Sequence, residues 1–595
     1  MQEVSEAPLV APITQGSLTD SVVRHASRTP DRLALRRRSA GGWQDISSAD
    51  FHQQVRALAK GLMAAGIQHG DRVAIMSATR YEWTLADYAS WYVGATVVPI
   101  YETSSAEQVE WILGNAECAA VFLEGDKHKQ IFDQVADRVP TEHVWLFEQG
   151  AVDDLSSSGT DVDDDALDAR RAAVQPGDMA TIIYTSGTTG RPKGCVLTHS
   201  NLRFETDNVT GSMPDLFEAH GSTLLFLPLA HVFGRVIQVG CIESGTILGH
   251  APDVKNLLND LAEFRPQFIL SVPRVFEKVF NSAQMKASAE GKGRIFDIAA
   301  STAIDYSRAL DTGGPSLVLR LKHTIFDKLV YGKLRAALGG RVEYAISGGA
   351  PLGERLGHFF RGIGVTILEG YGLTETSAAS TVNQPDAIRI GTVGRPMPGA
   401  SVRIAADGEV LLKGGQIFQG YWKNDQATAE VLEADGWFHS GDIGELDADG
   451  FLKITGRKKE LIVTAGGKNV APAVLEDRIR AHWLISQCMV VGDNRPFIAA
   501  LVTLDIEALP AWLEQQNRPV DTPLAELAGD PTIVAEVQSA IDEGNKAVSK
   551  AEAIRKFEIL DVDWTEEGGQ LTPSMKLKRN VVMLEFSDQV ESLYT

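Results

Sequence analysis

Short apolar runs that alternate with helical spacing constrain this chain more than any other feature. VAIM at 73–76, TVVPI at 96–100 and AAVFL at 119–123 each have the length and composition of a buried strand. Phe51, Val55, Leu58 and Leu62 fall at helical spacing within 51–67, Gly70 and Asp71 break that pattern, and 83–92 reads as a second helix. Strands joined by helices predict a parallel sheet, because parallel neighbours need a crossover connection. A further strand, ATIIY at 180–184, runs into YTSGTTGRPKG at 184–194. There the chain turns abruptly to small hydroxyl residues and glycines. Such a loop can present several backbone N–H groups and hydroxyls to one set of phosphate oxygens. Arg191 and Lys193 add positive charge, and Pro192 stiffens the exit. Lys193 lies six residues beyond Gly187, near the Walker A spacing, but Gly194 stands where a magnesium-binding Ser or Thr would follow the lysine. This is not an ordinary P-loop.

A chain of 595 residues exceeds what one core usually supports, so two or more domains are expected. The 56 Lys and Arg against 78 Asp and Glu give a net charge of −22, which disfavours a basic nucleic-acid face, and no nucleic-acid partner is expected. Cys118, Cys195, Cys241 and Cys488 are scattered, without metal-ligand spacing or a disulfide framework, as in a reducing cytoplasm. The start, MQEVSEAPLVAP, lacks the basic region and apolar run of a signal peptide, and no apolar stretch is long enough to span a bilayer. Peripheral membrane contact stays open, because an amphipathic surface need not show in composition.

Taken in order, Arg36, Arg37 and Arg38 read as solvated surface rather than a phosphate or lipid contact. Residues 151–170, with seven Asp among small residues, read as a solvated acidic loop. TLLFLPLAH at 223–231 reads as a strand with a polar stop, placing His231, Phe233 and Arg235 beyond its carboxyl end, where ligands of open α/β sheets sit. A core-facing histidine is the alternative. RPQFILSVPR at 265–274 is another strand with a turn after it. The region 275–338 is helical, broken by GKG at 291–293 and GGP at 313–315, with apolar positions at Ile304, Leu317, Leu321 and Ile325 on one side. VEYAISGGAPL at 342–352 and VTILEGYGLTETS at 365–377 are strand-to-loop junctions. Gly349 and Ala350, without bulky side chains, let a flat ring lie against the backbone. Beyond Glu369 and Gly370, Tyr371 offers a ring face, Thr374 a hydroxyl near phosphate, and Glu375 a hard oxygen ligand for magnesium.

Over 389–455, VRI, GEVLLKG and GFLKITG are short β segments separated by Asp-Gly at 407–408 and 449–450, a tight-hairpin signal. In GWFHSGDIG at 436–444, Asp442 can accept both hydroxyls of a ribose, though a turn cap explains it as well. In GRKKELIVTAGGKNVAP at 456–472, Arg457 is in line for ribose or phosphate. Gly466 and Gly467, with Lys468 beside them, leave room for a slim thiol arm. A helix starts after Pro472, and strands near 488–492 and 498–504 predict a small α/β domain. In LTPSMKLKRNVV at 571–582, Lys576 and Lys578 bracket Leu577; ordinary surface charge is the alternative.

TSGTTGRPKG resembles the signature of the adenylate-forming enzyme superfamily, which includes acyl-CoA synthetases, luciferases and carrier-protein adenylation domains. YGLTET, the Gly-Asp at 441–442 and the terminal lysine follow in the family's order, from about 20 to 590. The 275–338 segment, largely missing from shorter members, resembles the long-chain fatty acyl-CoA synthetase branch. The resemblance implies an α/β fold. A large N-terminal domain, 1–456, would hold α/β subdomains at about 20–388 and a small β subdomain at about 389–455. A small mobile α+β C-terminal domain would follow at 457–595. It implies ATP contacts at Thr185, Ser186, Gly187, Thr188, Thr189, Gly190, Lys193, Gly349, Ala350, Glu369, Gly370, Tyr371, Thr374, Asp442 and Arg457. Magnesium falls to Glu375, the acyl pocket to His231 and Phe233, the hinge to Lys459, and coenzyme A passage to Gly466, Gly467 and Lys468. Lys576, rather than Lys578, takes the role of adenylation lysine, with Glu375 and Lys193 as its catalytic companions. Commoner members carry glycine where this chain has Met575. The implied reaction converts a fatty acid, ATP and coenzyme A to acyl-CoA, AMP and pyrophosphate, with magnesium as cofactor. An acyl-AMP ligase serving a separate carrier protein, and a silent nucleotide-binding scaffold, are the alternatives. The expected location is the cytoplasm, with peripheral contact at the inner face of the membrane left open.

Overall fold

The apolar runs become neighbouring strands. Arg72–Met76, Thr96–Ile100, Cys118–Leu123, His143–Leu146 and Met179–Thr185 form the parallel part of a seven-stranded sheet, and Lys193–Thr198 returns antiparallel beside Met179–Thr185. The structure, a computed structural model of the chain, describes every residue except 1, 40, 186–190, 218–220, 253–255, 466–467 and 573–574. The expected helices are Ser48–Ala64, opened by a Ser47–Asp50 capping box, and Tyr81–Tyr92. All residues of the second are buried, including Glu82 and Asp87.

A second, nine-stranded sheet carries a parallel run through Leu33–Ser39, Ile247–His250, Ser222–Leu225, Phe268–Ser271, Tyr344–Ser347 and Thr366–Tyr371. Two of its strands are shorter than the sequence suggests. Ser222–Leu225 ends well before His231, because the chain leaves the sheet through Pro228 and His231 caps the helix Val232–Ser244. Phe268–Ser271 ends because Pro273 opens the helix Pro273–Ala289, where its missing N–H costs nothing.

Residues 151–170 are not a loop. They form most of two helices, Ala151–Ser158 and Asp164–Ala172, with Leu155 and Leu167 buried. The aspartates that make the stretch look solvated start and anchor these helices. Asp163 accepts the Asp165 N–H at 3.1 Å, and Asp164 and Asp168 pair with Arg56 across the surface. Arg36 and Arg38 make surface ion pairs with Asp45 and Glu263, and Arg37 pairs with the buried Glu82.

Ala400–Ile404, Glu409–Gly414, Phe438–Leu446 and Leu452–Arg457 form the antiparallel β unit, and the Asp-Gly turns place Gly408 and Gly450 at φ of +87° and +84°. Gln2–Ser5 adds an unforeseen edge strand. The main core extends to Leu452, and a separate core begins at Ile462. The second core lies under Ile485–Val491, Ile498–Leu504 and Ile554–Ile559, with helices Pro472–Arg480 and Pro531–Asn545 against them. A short turn, Lys458–Glu460, joins the two. The helical region runs Pro273–Ala289, Gly293–Asp311, Leu317–Phe326 and Gly332–Ala337, broken at both glycine sites. Ile304 packs on the core; Leu317, Leu321 and Ile325 are exposed.

Arg235 is a structural cation. It and Asp87 are fully buried and 2.8 Å apart, Gln238 donates to the other Asp87 oxygen at 2.6 Å, and the Trp83 and Trp91 rings flank the guanidinium. Burial pushes the Asp87 carboxyl up to about 6 against the pull of Arg235. Removing one member strands the other charge in the core. Asp87→Ala is expected to cost about 3–5 kcal/mol in urea unfolding, and Asp87→Ala combined with Arg235→Met less than the two single losses together.

Candidate active site

Tyr344–Ser347 and Thr366–Tyr371 are parallel neighbours with Ser347 opposite Glu369, so both deliver their loops to one end of the sheet. Behind the first, Gly349 sits at φ +83°, and a Cβ on Gly348 would lie 3.6 Å from the Phe233 ring. Phe233 therefore rests against this glycine backbone, and Ala350 is exposed. Glu369 accepts the Leu352 N–H at 3.0 Å and ties the two loops. Burial pushes its carboxyl up to about 7, with that N–H opposing. Tyr371, one residue past Gly370, donates its hydroxyl to Asp442 Oδ2 at 2.7 Å, and Arg457 Nε lies 3.2 Å from Oδ1. Asp442 and Arg457 are cross-strand partners, so the β unit holds this pair over the Tyr371 loop. The Asp442 carboxylate binds side chains rather than capping a turn. It keeps roughly two of its four lone-pair sites for further donors.

Glu375 lies in the short turn Thr374–Thr376. Tyr421 donates to its Oε1 at 2.7 Å, and its carbonyl accepts the Phe418 N–H at 2.8 Å. Lys193 Nζ is 4.9 Å from the centre of the Tyr421 ring, a cation–π contact. Thr185 stands opposite Lys193 on the hairpin. The Arg191 guanidinium lies over Trp111, which donates Nε1–H to the Pro192 carbonyl. Ser186, Gly187, Thr188, Thr189 and Gly190 lie outside the described residues. Sequence reasoning missed Tyr421. Its only local signal is an aromatic after glycine in a two-residue strand, Gly420–Tyr421, that pairs with Lys193–Thr198. It also missed Glu205, buried, which accepts the Ala379 N–H at 3.0 Å just after two left-handed residues, Ser377 and Ala378.

The far C-terminus enters the same place. Lys576 is held by Thr572, whose N–H donates to the Lys576 carbonyl at 2.8 Å and whose Oγ1 accepts the Lys576 N–H at 3.0 Å. Its side chain keeps solvent contact, yet the surrounding protein thins its hydration. That crowding lowers its pKa, Arg457 adds to the effect, and Asp442, Glu375 and Glu460 oppose it. His231 is pushed down to about 3, first by burial and then by Lys576. Its Nδ1 accepts the Phe233 N–H at 3.2 Å, so the ring is neutral and capping. Lys578 differs: it precedes the helix Arg579–Glu585, and its N–H donates to the Gln570 carbonyl. Arg579 is taken by Glu476. Met575 has φ +61°, the left-handed conformation that glycine adopts freely.

Lys459 is exposed in the connecting turn, beside Lys458, which pairs with Asp407 and Glu409. Lys468 pairs with Glu552 at 3.3 Å at the hairpin of Ile462–Val463 and Asn469–Val470, and Gly466 and Gly467 lie outside the described residues. Among the described residues no three His, Cys, Asp or Glu cluster as a metal cage. The lone Glu375 carboxylate still fits magnesium, which binds through one or two carboxylates with waters and substrate phosphates.

Fold and site define an α/β protein whose small C-terminal domain brings a lysine to the carboxylates of a large N-terminal one. The chain belongs to the AMP-binding enzyme family, matching the family's main domain over residues 22–422 and its C-terminal domain over 459–595. It is 52% identical over 601 residues to the long-chain-fatty-acid–CoA ligase FadD15 of Mycobacterium tuberculosis, with 100% of each chain covered. It is 32% identical to the long-chain-fatty-acid–CoA ligase ACSBG2 of Xenopus laevis, over 100% of this chain and 85% of that one. Among solved structures, ATP-bound MatB from Rhodopseudomonas palustris matches with a TM-score of 0.70 at 23% identity, over 96% of this chain and 99% of that one. A Mycobacterium tuberculosis fatty acyl CoA synthetase matches at 0.62 and 22%, over the same shares. These two likenesses concern the fold.

Two outcomes are expected. Glu369 has a folded pKa raised above its ordinary 4.5, so its contribution to stability is full below that value and is lost as pH rises through about 7. Glu369→Gln keeps the acceptor for Leu352 without the charge, so its unfolding free energy should fall less between pH 5 and pH 8 than the wild type's. A pH series of urea unfolding measures the difference. Met575→Val should loosen the Lys576 turn by about 1 kcal/mol or more, since a β-branched residue tolerates positive φ worse, whereas Met575→Gly should not. Amide exchange at Leu571 and Leu577, which pair across this turn, reads the effect.

Proposed function

We propose that this protein is an AMP-forming long-chain fatty acid–CoA ligase, with ATP and coenzyme A as cosubstrates. The observation that carries the reading is the cluster of Asp442 with Tyr371 and Arg457 and of Glu375 with Tyr421, on which, as on His231, Lys576 from the other domain acts electrostatically. The full-length likeness to proteins named long-chain-fatty-acid–CoA ligases supports the substrate class.

A carboxylate does not acylate a thiol directly at neutral pH, because oxide is a poor leaving group. Its oxygen instead attacks the α-phosphorus of ATP, forming the acyl-adenylate as the bond to pyrophosphate breaks. Such a step needs alignment and charge compensation more than acid–base relays. Thr185, Ser186, Gly187, Thr188, Thr189, Gly190 and Lys193 hold the phosphates, with the Thr374 hydroxyl nearby. Gly349, Ala350, Glu369, Gly370 and Tyr371 receive the base. Asp442 accepts the ribose hydroxyls while Arg457 balances its charge. Lys576 bridges the acid and the α-phosphate and stabilises the charge that grows in the transition state. Magnesium held at Glu375 would supply positive charge to the phosphate oxygens, and Tyr421 orients that carboxylate. His231, neutral and half-buried, and Phe233 line the acyl pocket without adding charge to it.

In the second half the coenzyme A sulfur attacks the acyl carbonyl and AMP leaves. The domain 457–595 turns about Lys459, withdrawing Lys576 and presenting Gly466, Gly467 and Lys468 to the thiol arm. The compartment proposed is the cytoplasm, supported by four buried free thiols. No described helix is long and apolar enough to cross a membrane, and the proposal includes a peripheral contact at its inner face. An acyl-AMP ligase for a carrier protein would differ only in its acceptor. Acyl-CoA formation from acyl-adenylate and coenzyme A, followed by mass, decides between them. A silent scaffold would bind ATP without acid-dependent pyrophosphate release.

Separating the half-reactions tests the assignment. Lys576→Ala should slow acyl-AMP formation on the order of 10²–10³-fold yet keep most thioester formation from supplied acyl-adenylate. Lys578→Ala should be mild, and Gly467→Leu, with folding checked by thermal melt, should damage the second half instead. Equal loss in both halves for Lys576→Ala, or a worse Lys578→Ala, would overturn the swinging-lysine reading. Glu375→Gln should depress pyrophosphate release most at limiting magnesium, and Tyr421→Phe should raise the magnesium requirement in the same direction by a smaller factor. Unchanged magnesium dependence in both would remove Glu375 from its role.

A further inference from the structure

The helix Leu317–Phe326 and the turn after it are apolar on two opposite faces. On the inner face Leu319, His323, Phe326 and Val330 recur at helical spacing. His323 stacks on Tyr306 with centroids 3.9 Å apart and bonds the Gly362 carbonyl, and Phe326 and Val330 pack on the main core. On the outer face Leu317, Val318, Leu321, Ile325 and Leu329 are 83%, 66%, 65%, 49% and 55% exposed. No residue of the helix is fully buried. The inner stripe is satisfied by the core, and the outer stripe is left facing solvent. Five large side chains in one stripe are a patch rather than the scattered exposure of an ordinary surface. The neighbouring helix carries exposed Ile298, at 57%, beside Ala299, whose carbonyl accepts the Tyr331 hydroxyl.

The charge of this segment is opposite to that of the chain. The protein carries −22, yet 315–341 contain Arg320, Lys322, Lys328, Lys333, Arg335 and Arg341 against a single acid, Asp327. Arg335 occupies that acid at 2.7 Å. Lys322, Lys328 and Lys333 are exposed in the same segment as the apolar stripe. Long basic side chains can lay their stems along apolar surface and raise their ammonium groups to anionic oxygens. An exposed apolar stripe in a basic segment is an arrangement that binds an anionic lipid interface.

We propose that the Leu317–Phe326 helix and Leu329 form the surface by which this protein rests on an anionic membrane. The stripe enters the boundary between headgroups and acyl chains, and Lys322, Lys328 and Lys333 meet lipid phosphates. This gives the peripheral contact a location, and it stands independently of the catalytic reading because nothing in it requires turnover. A two-fold contact between copies is the weaker fit, since it would set this basic surface against itself.

The test uses the full chain without substrates. Co-sedimentation compares vesicles of equimolar phosphatidylcholine and phosphatidylglycerol with vesicles of phosphatidylcholine alone. The wild type should bind the anionic vesicles and release with rising salt. The Leu321→Glu, Ile325→Glu double variant should bind about tenfold or more weakly, and Leu584→Glu, an equally exposed leucine elsewhere, should bind as wild type. Both altered side chains of the double variant are exposed, and a thermal melt confirms folding. Should it misfold, Lys322→Glu with Lys328→Glu tests the same surface and should lose the anionic preference. Absence of anionic binding by the wild type, or binding undiminished in both patch variants, overturns the proposal. So does a double variant that changes the molecular mass in solution but not the vesicle binding, which would make the patch a contact between copies.

Discussion

The site depends on one electrostatic arrangement: the cation of Lys576 set among Asp442, Glu375 and a second cation, Arg457. Each carboxylate already holds a neutral hydroxyl, Tyr371 on Asp442 and Tyr421 on Glu375. Phenol hydroxyls orient the carboxylates without neutralising them. Lys576 therefore remains attracted to the cleft by charges that, among the described residues, are not locked to it in a direct ion pair. A lysine bonded to its own carboxylate would have to break that bond before acting. The same logic explains why His231 stays neutral: a third cation beside Lys576 and Arg457 would weaken the attraction that brings the lysine in.

Everything else about the cleft follows from how its walls are made. Thr366–Tyr371 and Tyr344–Ser347 are short parallel strands in one register, so their loops open together. The β unit places Asp442 and Arg457 on adjacent strands. The two-residue strand Gly420–Tyr421 then crosses to the edge of the other sheet, beside Lys193–Thr198. This small piece of pairing brings Tyr421 between Lys193 and Glu375. It connects the phosphate-type loop of one sheet with the Thr374–Thr376 turn at the end of another.

What could be read from the sequence follows the same physical divide. Strands such as Thr96–Ile100, buried on both faces, show as continuous apolar runs. The helical region and its glycine breaks showed likewise. The acidic helices near 151–170 were hidden because their aspartates serve as starts and ion-pair partners, leaving only Leu155 and Leu167 to report a buried face. Gln2–Ser5 is a four-residue edge strand whose partner is some four hundred residues away, and no local pattern records that pairing. Tyr371, Glu375, Asp442 and Lys576 were singled out because each lies in a motif of several residues that carries the family resemblance, and the structure brings their loops together. Tyr421 and Glu205 act through single contacts to distant loops, for which composition and spacing carry no signal.

The contacts that hold Lys576 inward set the energy scale for moving it. The C-terminal domain meets the Pro273–Ala289 helix through Arg274 with Asp505 at 2.9 Å and Lys278 with Glu507 at 2.7 Å. Arg355 adds a long bond to the Ala481 carbonyl at 3.3 Å. The Lys278 pair is open to solvent, with more than half of each side chain exposed, and such pairs contribute about 0–1 kcal/mol. Each domain meanwhile has its own buried core, so parting them need not unfold either. Filling the cleft with a polyanion adds attraction for Lys576. In the proposed reaction, loss of pyrophosphate would remove much of it. Under the proposed function, substrate charge would tip the domain one way and its departure the other, which is the energetic condition the proposed change of place by Lys576 between the half-reactions requires.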